Sequence, residues 1–127
     1  MTSALWRLAF GAGLLLVAVM SLLPPDRLPQ SMSLSDKAVH ALAYALLGAL
    51  AVLSGLTWRG ALVSVVGFGL LLEIAQGISG HRSFEWGDLL ADAVGAGIGV
   101  VVVIAVVRRP RRGLPPGQQS APGSSRP

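Results

Sequence analysis

The chain of 127 residues contains no cysteine, which excludes disulfides and thiolate metal sites and leaves the redox compartment open. Charge is also scarce. Only 13% of residues are charged against 53% of hydrophobic type, with a mean hydropathy of +0.67, whereas an ordinary soluble domain carries about 25% charged residues. There is no serine or threonine nucleophile motif, no phosphate-cradling glycine loop and no internal repeat. Segments long enough to form a separate soluble domain are lacking too. Any chemistry must therefore lie on apolar helices or at their ends.

What is present is four apolar runs, at 5–23, 38–56, 61–78 and 89–107, each close to the roughly 20 residues that a helix needs to cross the hydrocarbon layer. They predict an all-α integral membrane bundle of four transmembrane helices over residues 1–107, followed by a disordered basic C-terminal tail over 108–127. The first run is read as a retained helix, because the following SLLPPDRLPQ offers no small-x-small cleavage site. Pro24 and Pro25 stop it, since proline lacks the amide hydrogen and clashes with the preceding turn. Residues 24–35 form a polar loop, and Thr57 to Gly60 a tight turn. Ser79 to Asp88 form a longer connection rich in ionisable groups. The tail, RRPRRGLPPGQQSAPGSSRP, has too few large apolar residues to offset the entropy of ordering. Its Arg108, Arg109, Arg111 and Arg112 would each gain about 1 kcal/mol at an anionic inner leaflet. They read as a stop-transfer anchor and not as a nucleic-acid surface, because no folded basic surface or interleaved aromatics accompany them.

Basic residues in the short segments set the orientation. With both termini cytoplasmic, the inner side holds Arg7, Arg59 and five tail arginines, and the outer side Arg27, Lys37 and Arg82, seven against three. The expected location is the bacterial cytoplasmic membrane, crossed several times. Trp6, Trp58 and Trp86 fall beside helix ends, where an indole ring suits the interface. All six acids, Asp26, Asp36, Glu73, Glu85, Asp88 and Asp92, then fall on or near the outer side, as do His40 and His81. At about 1.5 Å per residue, His40, Glu73, Gln76 and Asp92 should lie within roughly 10 Å of the outer boundary.

Helical spacing says which way these groups point. Asp36, His40 and Tyr44 recur at i, i+4 and i+8 and line one face. Glu73 and Gln76 share a face of the third helix, and Asp88 and Asp92 a face of the fourth, which Gly95 and Gly99 continue at small-residue spacing. Such a strip lets helices approach closely in lipid, so the Asp92 face should point into the bundle. An acid or base at a helix centre costs about 2.5–3.5 kcal/mol on insertion scales, which again favours convergence over exposure to acyl chains. The polar layer then reads either as structural glue, with Lys37, His40 and Arg82 pairing Asp36, Glu73, Asp88 and Asp92, or as a functional site. Gly11, Gly13, Gly67 and Gly69 read as helix-packing positions, His81 as an exposed loop residue, and Phe84 and Trp86 as interfacial anchors.

Three blocks resemble the VanZ-like family of small bacterial membrane proteins: SDKAVHALAYALLG (Ser35 to Gly48), EIAQG (Glu73 to Gly77) and RSFEWGDLLADAVGAGIG (Arg82 to Gly99). Asp36, Lys37, His40, Ala43, Tyr44, Glu73, Gln76, Arg82, Phe84, Glu85 and Asp88 match the family's pattern. Asp92 stands where asparagine is usual, which adds an acid to the layer and weakens a neutral hydrogen-bonding role there. The resemblance implies a multi-spanning membrane protein whose namesake is associated with resistance to the glycopeptide teicoplanin. Teicoplanin carries an acyl chain and concentrates at the outer membrane surface, where this layer would lie.

Three functions stay open at this point. The leading one is a non-enzymatic envelope or ligand-binding module at the outer leaflet, linked to glycopeptide tolerance. Its polar cluster is Asp36, Lys37, His40, Tyr44, Glu73, Gln76, Arg82, Glu85, Asp88 and Asp92. The alternative is a small membrane enzyme acting on a lipid-linked substrate, with Glu73 or Asp88 as general acid or base beside His40. The third is a proton or ion relay, against which the inner half of the bundle has no matching polar groups. His40, Glu73 and Asp88 offer oxygen and imidazole ligands, but their spacing is no recognised metal signature, so no metal and no cofactor is assigned. Expected partners are membrane lipids, a glycopeptide or envelope-precursor ligand, and a second copy through the glycine-lined faces; nucleic acid is not among them.

Overall fold

Runs of Leu, Val and Ala without an internal proline leave a chain in lipid one economical way to pair its backbone groups, the α-helix. The computed structural model describes residues 3–23, 36–80 and 84–107, and among them every regular element is helical. The order is α1 (Ser3–Leu22), α2 (Asp36–Leu53), α3 (Trp58–Ser79) and α4 (Trp86–Val107). Their 20, 18, 22 and 22 residues give lengths of about 27–33 Å, against a hydrocarbon core of about 30 Å. α1, α3 and α4 are long and apolar enough to cross a membrane, while the apolar part of α2, Lys37–Leu53, is shorter. The tail over 108–127, the loop over 24–35 and residues 81–83 lie outside the described residues.

Three boundaries differ from the sequence expectation by three residues, each for a local reason. α2 stops at Leu53 and not at residue 56, because Gly55 takes φ +105° and closes a Schellman motif. Leu56 N–H donates to the Ala51 carbonyl at 3.2 Å and Gly55 N–H to the Val52 carbonyl at 3.1 Å, which satisfies carbonyls at the helix end. The turn therefore falls at residues 54–57, and Thr57 is the N-cap of α3, its hydroxyl accepting from Gly60 N–H at 3.1 Å. α4 begins at Trp86 and not at residue 89. Asp88 and Leu89 N–H both donate to the Glu85 carbonyl, so the polar WGD stretch is the helix's first turn. An acid in that turn suits the helix dipole.

The core is narrow and built largely from small residues. Tyr44, Leu47 and Ala51 of α2 meet Ala61 and Val65 of α3 and Ala96 and Val100 of α4. α2 and α4 run parallel and share the most extensive interface. A methyl group built on Gly95 or Gly99 would run into the carbonyl of Ala41 or Ala45, and one on Gly48 would lie 2.5 Å from the Ala96 carbonyl oxygen. The hydrogens in those positions point at carbonyl oxygens, the Cα–H···O arrangement worth about 0.5–1 kcal/mol per contact at close helix crossings. The stripe of Gly95 and Gly99 is thus occupied within the chain by α2. By contrast α1 has no buried residue and lays only Phe10, Leu14 and Val17 against the core. The outward faces carry large apolar side chains, among them Leu8, Leu15, Val63, Leu71, Ile78 and Val101, which suits contact with acyl chains.

Candidate functional site

The start of α2, the end of α3 and the start of α4 lie at one end of the bundle, and the side chains of His40, Glu73, Asp88 and Asp92 turn inward there. Glu73 on α3 and Asp92 on α4 each lie six residues inside their helix ends, or about 9 Å at 1.5 Å per residue. Burial is nearly complete: Glu73 is 2% exposed, Gln76 4%, Asp88 7% and Asp92 1%. His40 joins them from α2, with its side chain 16% exposed.

Each buried group has identifiable partners. His40 Nδ1 lies 2.9 Å from Asp92 Oδ1, and the Tyr44 hydroxyl hydrogen-bonds the same carboxylate. One turn apart on α2, the His40 and Tyr44 rings are parallel to within 1°, with centroids 6.4 Å apart. Glu73 Oε2 accepts the Glu85 backbone N–H at 3.1 Å, which ties α3 to the start of α4. Gln76 Nε2 donates to the Ser21 carbonyl at 2.8 Å, which ties α3 to the end of α1. At the mouth, exposed Lys37 stands 3.5 Å from both Glu85 Oε2 and Asp88 Oδ1. Asp88 Oδ1 is buried and has this ion pair but no hydrogen bond.

Of the ten residues expected in the polar cluster, seven sit in this layer with the contacts above: Lys37, His40, Tyr44, Glu73, Gln76, Asp88 and Asp92. Glu85 lies at the rim. Asp36 opens α2, but its side chain and the whole of Arg82 lie outside the described residues. Two of the pairs are of the kind expected of acid–base glue, Lys37 with Asp88 and His40 with Asp92, and Lys37 also serves Glu85 at the rim.

A family model described as VanZ/LLP1 matches residues 19–108, well over half of the chain. The chain belongs to the VanZ/LLP1 family. Together with three helices long and apolar enough to span a bilayer, this makes it a VanZ-like membrane protein. Neither a curated protein nor a solved structure matches it. The VanZ/LLP1 match starts near the end of α1 and takes in every described member of the polar layer, so most of α1 falls outside it.

The VanZ/LLP1 layer also depends on groups with no ionisable side chain. Gly69 is one: a Cβ there would lie 2.9 Å from Asp92 Oδ2 and 3.0–3.2 Å from the Tyr44 ring edge and hydroxyl. Its missing side chain is the space in which Tyr44 and Asp92 meet. Gly87 does the same at the rim, where a Cβ would lie 2.9 Å from Lys37 Cε. The Ser21 carbonyl is a third. Spacing from polar residues could have singled out the two glycines, since Gly69 lies one turn before Glu73 and Gly87 adjoins Asp88. Nothing in a side-chain pattern marks a backbone acceptor such as that of Ser21.

Proposed function

We propose that this VanZ-like protein is a non-enzymatic envelope module whose polar layer holds a polar ligand, a headgroup or peptide of the cell envelope, at the outer leaflet of the bacterial cytoplasmic membrane. On this reading both termini are cytoplasmic, and the module contributes to glycopeptide tolerance. The observation that carries it is the convergence of Glu73, Asp88 and Asp92 with His40 from three helices at one end of the bundle. Three buried acids exceed what helix register requires, since interhelical polar contacts in membranes average only about 0.6 kcal/mol. The opposite half supports binding over a relay. Among the described residues its buried core is Ala51, Ala61, Val65, Val100 and Val103, with Ser54 the one buried polar side chain and its hydroxyl bonded to the Ala51 carbonyl, a poor onward path for a proton.

The test is a glycopeptide and envelope-stress susceptibility panel on a deletion strain complemented with wild type, Glu73→Gln or Asp88→Asn. Both variants are expected to leave the strain as susceptible as the deletion while inserting at wild-type abundance. Loss of the protein from the membrane would instead assign the layer to structural glue. A second reading, a small enzyme acting on a lipid-linked substrate, draws on the His40–Asp92 pair, in which a carboxylate fixes the imidazole as it does for a general base. Turnover of a lipid-linked substrate that vanishes in His40→Asn would favour that reading.

A further inference from the structure

His40, Glu73 and Asp88 come from α2, α3 and α4, and one ligand-capable atom of each lies within 4.8 Å of the other two. Around an ion with bonds of about 2.1 Å in tetrahedral geometry, ligand atoms stand about 3.4 Å apart. The trio therefore needs to close by little more than about 1 Å, within reach of side-chain torsions alone. Two observations say that it is built to hold something. Asp88 is 7% exposed, yet its Oδ1 has only the 3.5 Å ion pair with exposed Lys37 and no hydrogen bond, thin compensation where a buried charged acceptor without hydrogen bonds costs about 1–3 kcal/mol or more. Asp92, 1% exposed, binds His40 Nδ1 at 2.9 Å, the carboxylate–histidine arrangement that sets the tautomer and orientation of a metal-ligating imidazole.

Charge balance points the same way. Among the described residues, Glu73, Asp88 and Asp92 bring three buried acids to this layer, and exposed Lys37 is shared between Asp88 and Glu85. A divalent cation between Glu73 and Asp88 would neutralise both. We propose that His40, Glu73 and Asp88 bind one divalent first-row transition ion, of the Zn2+ or Mn2+ class, with Asp92 as the positioning residue of His40. An imidazole nitrogen beside two carboxylates suits those ions, whereas Ca2+ and Mg2+ take oxygen ligands and more of them. Because each ligand sits on a different helix, no short motif announces the site. The inference stands on the cluster's geometry and does not depend on a tolerance phenotype.

The experiment uses the full chain in nanodiscs, free of affinity tag and stripped with chelator. Zn2+, Mn2+, Mg2+ and Ca2+ are each titrated alone by calorimetry, and bound metal is counted by mass spectrometry. Wild type and the remote variant Arg59→Gln are expected to take up one Zn2+ or Mn2+ per chain, at least tenfold more tightly than Mg2+ or Ca2+. Glu73→Gln, Asp88→Asn and His40→Gln should lose saturable binding. Asp92→Asn should retain the stoichiometry and bind about 10–100-fold more weakly, the usual cost of losing an outer-shell partner. Wild type supplies a readout that needs no variant to fold: Co2+ should acquire visible bands distinct from those of the aqueous ion. The proposal is overturned if wild type shows no saturable binding, if Co2+ keeps its aqueous spectrum, or if the three ligand variants bind as wild type does. Metal binding without an antibiotic phenotype would uphold this site and count against the envelope reading, and the converse result would do the reverse.

Discussion

The α2–α4 seam and the attachment of α1 are two ways of joining helices in one small bundle. In the seam, Gly48, Gly95 and Gly99 bring backbone against backbone, with no flexible side chain between. α1 rests on side chains, with no buried residue and polar ties to Ser54 and Gln76 at its two ends. Lipid supplies no hydrophobic drive between helices, so close packing and hydrogen bonds must hold them. The seam has both in density, and α1 has little of either. The ionisable layer leans on that division, because His40, Asp88 and Asp92 stand on the two helices of the seam and α3 adds Glu73 and Gln76. Most of a site that needs fixed geometry is thus carried by the most closely packed pair, and the family match likewise covers the seam while omitting most of α1.

Breaking the seam should have the largest effect. In Gly99→Ala the new methyl meets the carbonyl of Ala45, which is backbone and cannot swing aside, so the helices must separate. The expected loss is about 2–3 kcal/mol, the upper range for overpacking, measured by unfolding in micelles. Gly11 and Gly67 have nothing within 4 Å of a built Cβ, and alanine there should stabilise by up to about 1 kcal/mol through helix propensity. Equal losses at Gly11 and Gly99 would erase the distinction between seam and outer faces.

Much of the seam was legible before any coordinates, because helical spacing alone places Asp88, Asp92, Gly95 and Gly99 on one stripe and Asp36, His40 and Tyr44 on another. The end of α2 and the start of α4 differ from the sequence reading for opposite reasons. Gly55 carried a helix-stop signal that an apolar run hides, and Asp88 looked like loop because hydropathy counts an inward-facing acid as it counts an exposed one. Partner identity was out of reach. Lys37 and His40 are three residues apart, yet Lys37 pairs Glu85 and Asp88 while His40 pairs Asp92, a choice made by how α4 sits beside α2. Gly69 was legible only as a small residue, since its role is the room it leaves for Tyr44 and Asp92.

A smaller effect, confined to α1, is expected from Gln76→Leu. The change removes the donor to the half-buried Ser21 carbonyl, and losing such a hydrogen bond costs about 0.5–1.5 kcal/mol. Cross-linking can assign the damage, because the native chain has no cysteine and a Cβ at Gly13 would lie 3.7 Å from Leu50 Cδ1. In a Gly13→Cys, Leu50→Cys background, Gln76→Leu should slow disulfide formation. A cysteine pair placed across α2 and α4 should be unaffected. Equal slowing of both would mean that Gln76 supports the whole bundle and not the docking of α1.

The smallest effect belongs to the other end of α1. Arg7 Nε donates to the Ser54 carbonyl at 3.3 Å, a long contact at the C-terminal end of α2, where a cation gains about 0.3–1 kcal/mol from the helix dipole. Arg7→Ala should therefore cost about 0.5 kcal/mol in unfolding free energy, and the cross-linking rate should fall less than in Gln76→Leu. The double variant decides how α1 is held. Arg7 and Gln76 act at opposite ends of the helix and share no partner, so their effects should add to within about 0.3–0.5 kcal/mol if α1 docks as one rigid rod. A loss well beyond the sum would mean that either tie alone keeps α1 in place, and that the helix leaves the bundle only when both are cut.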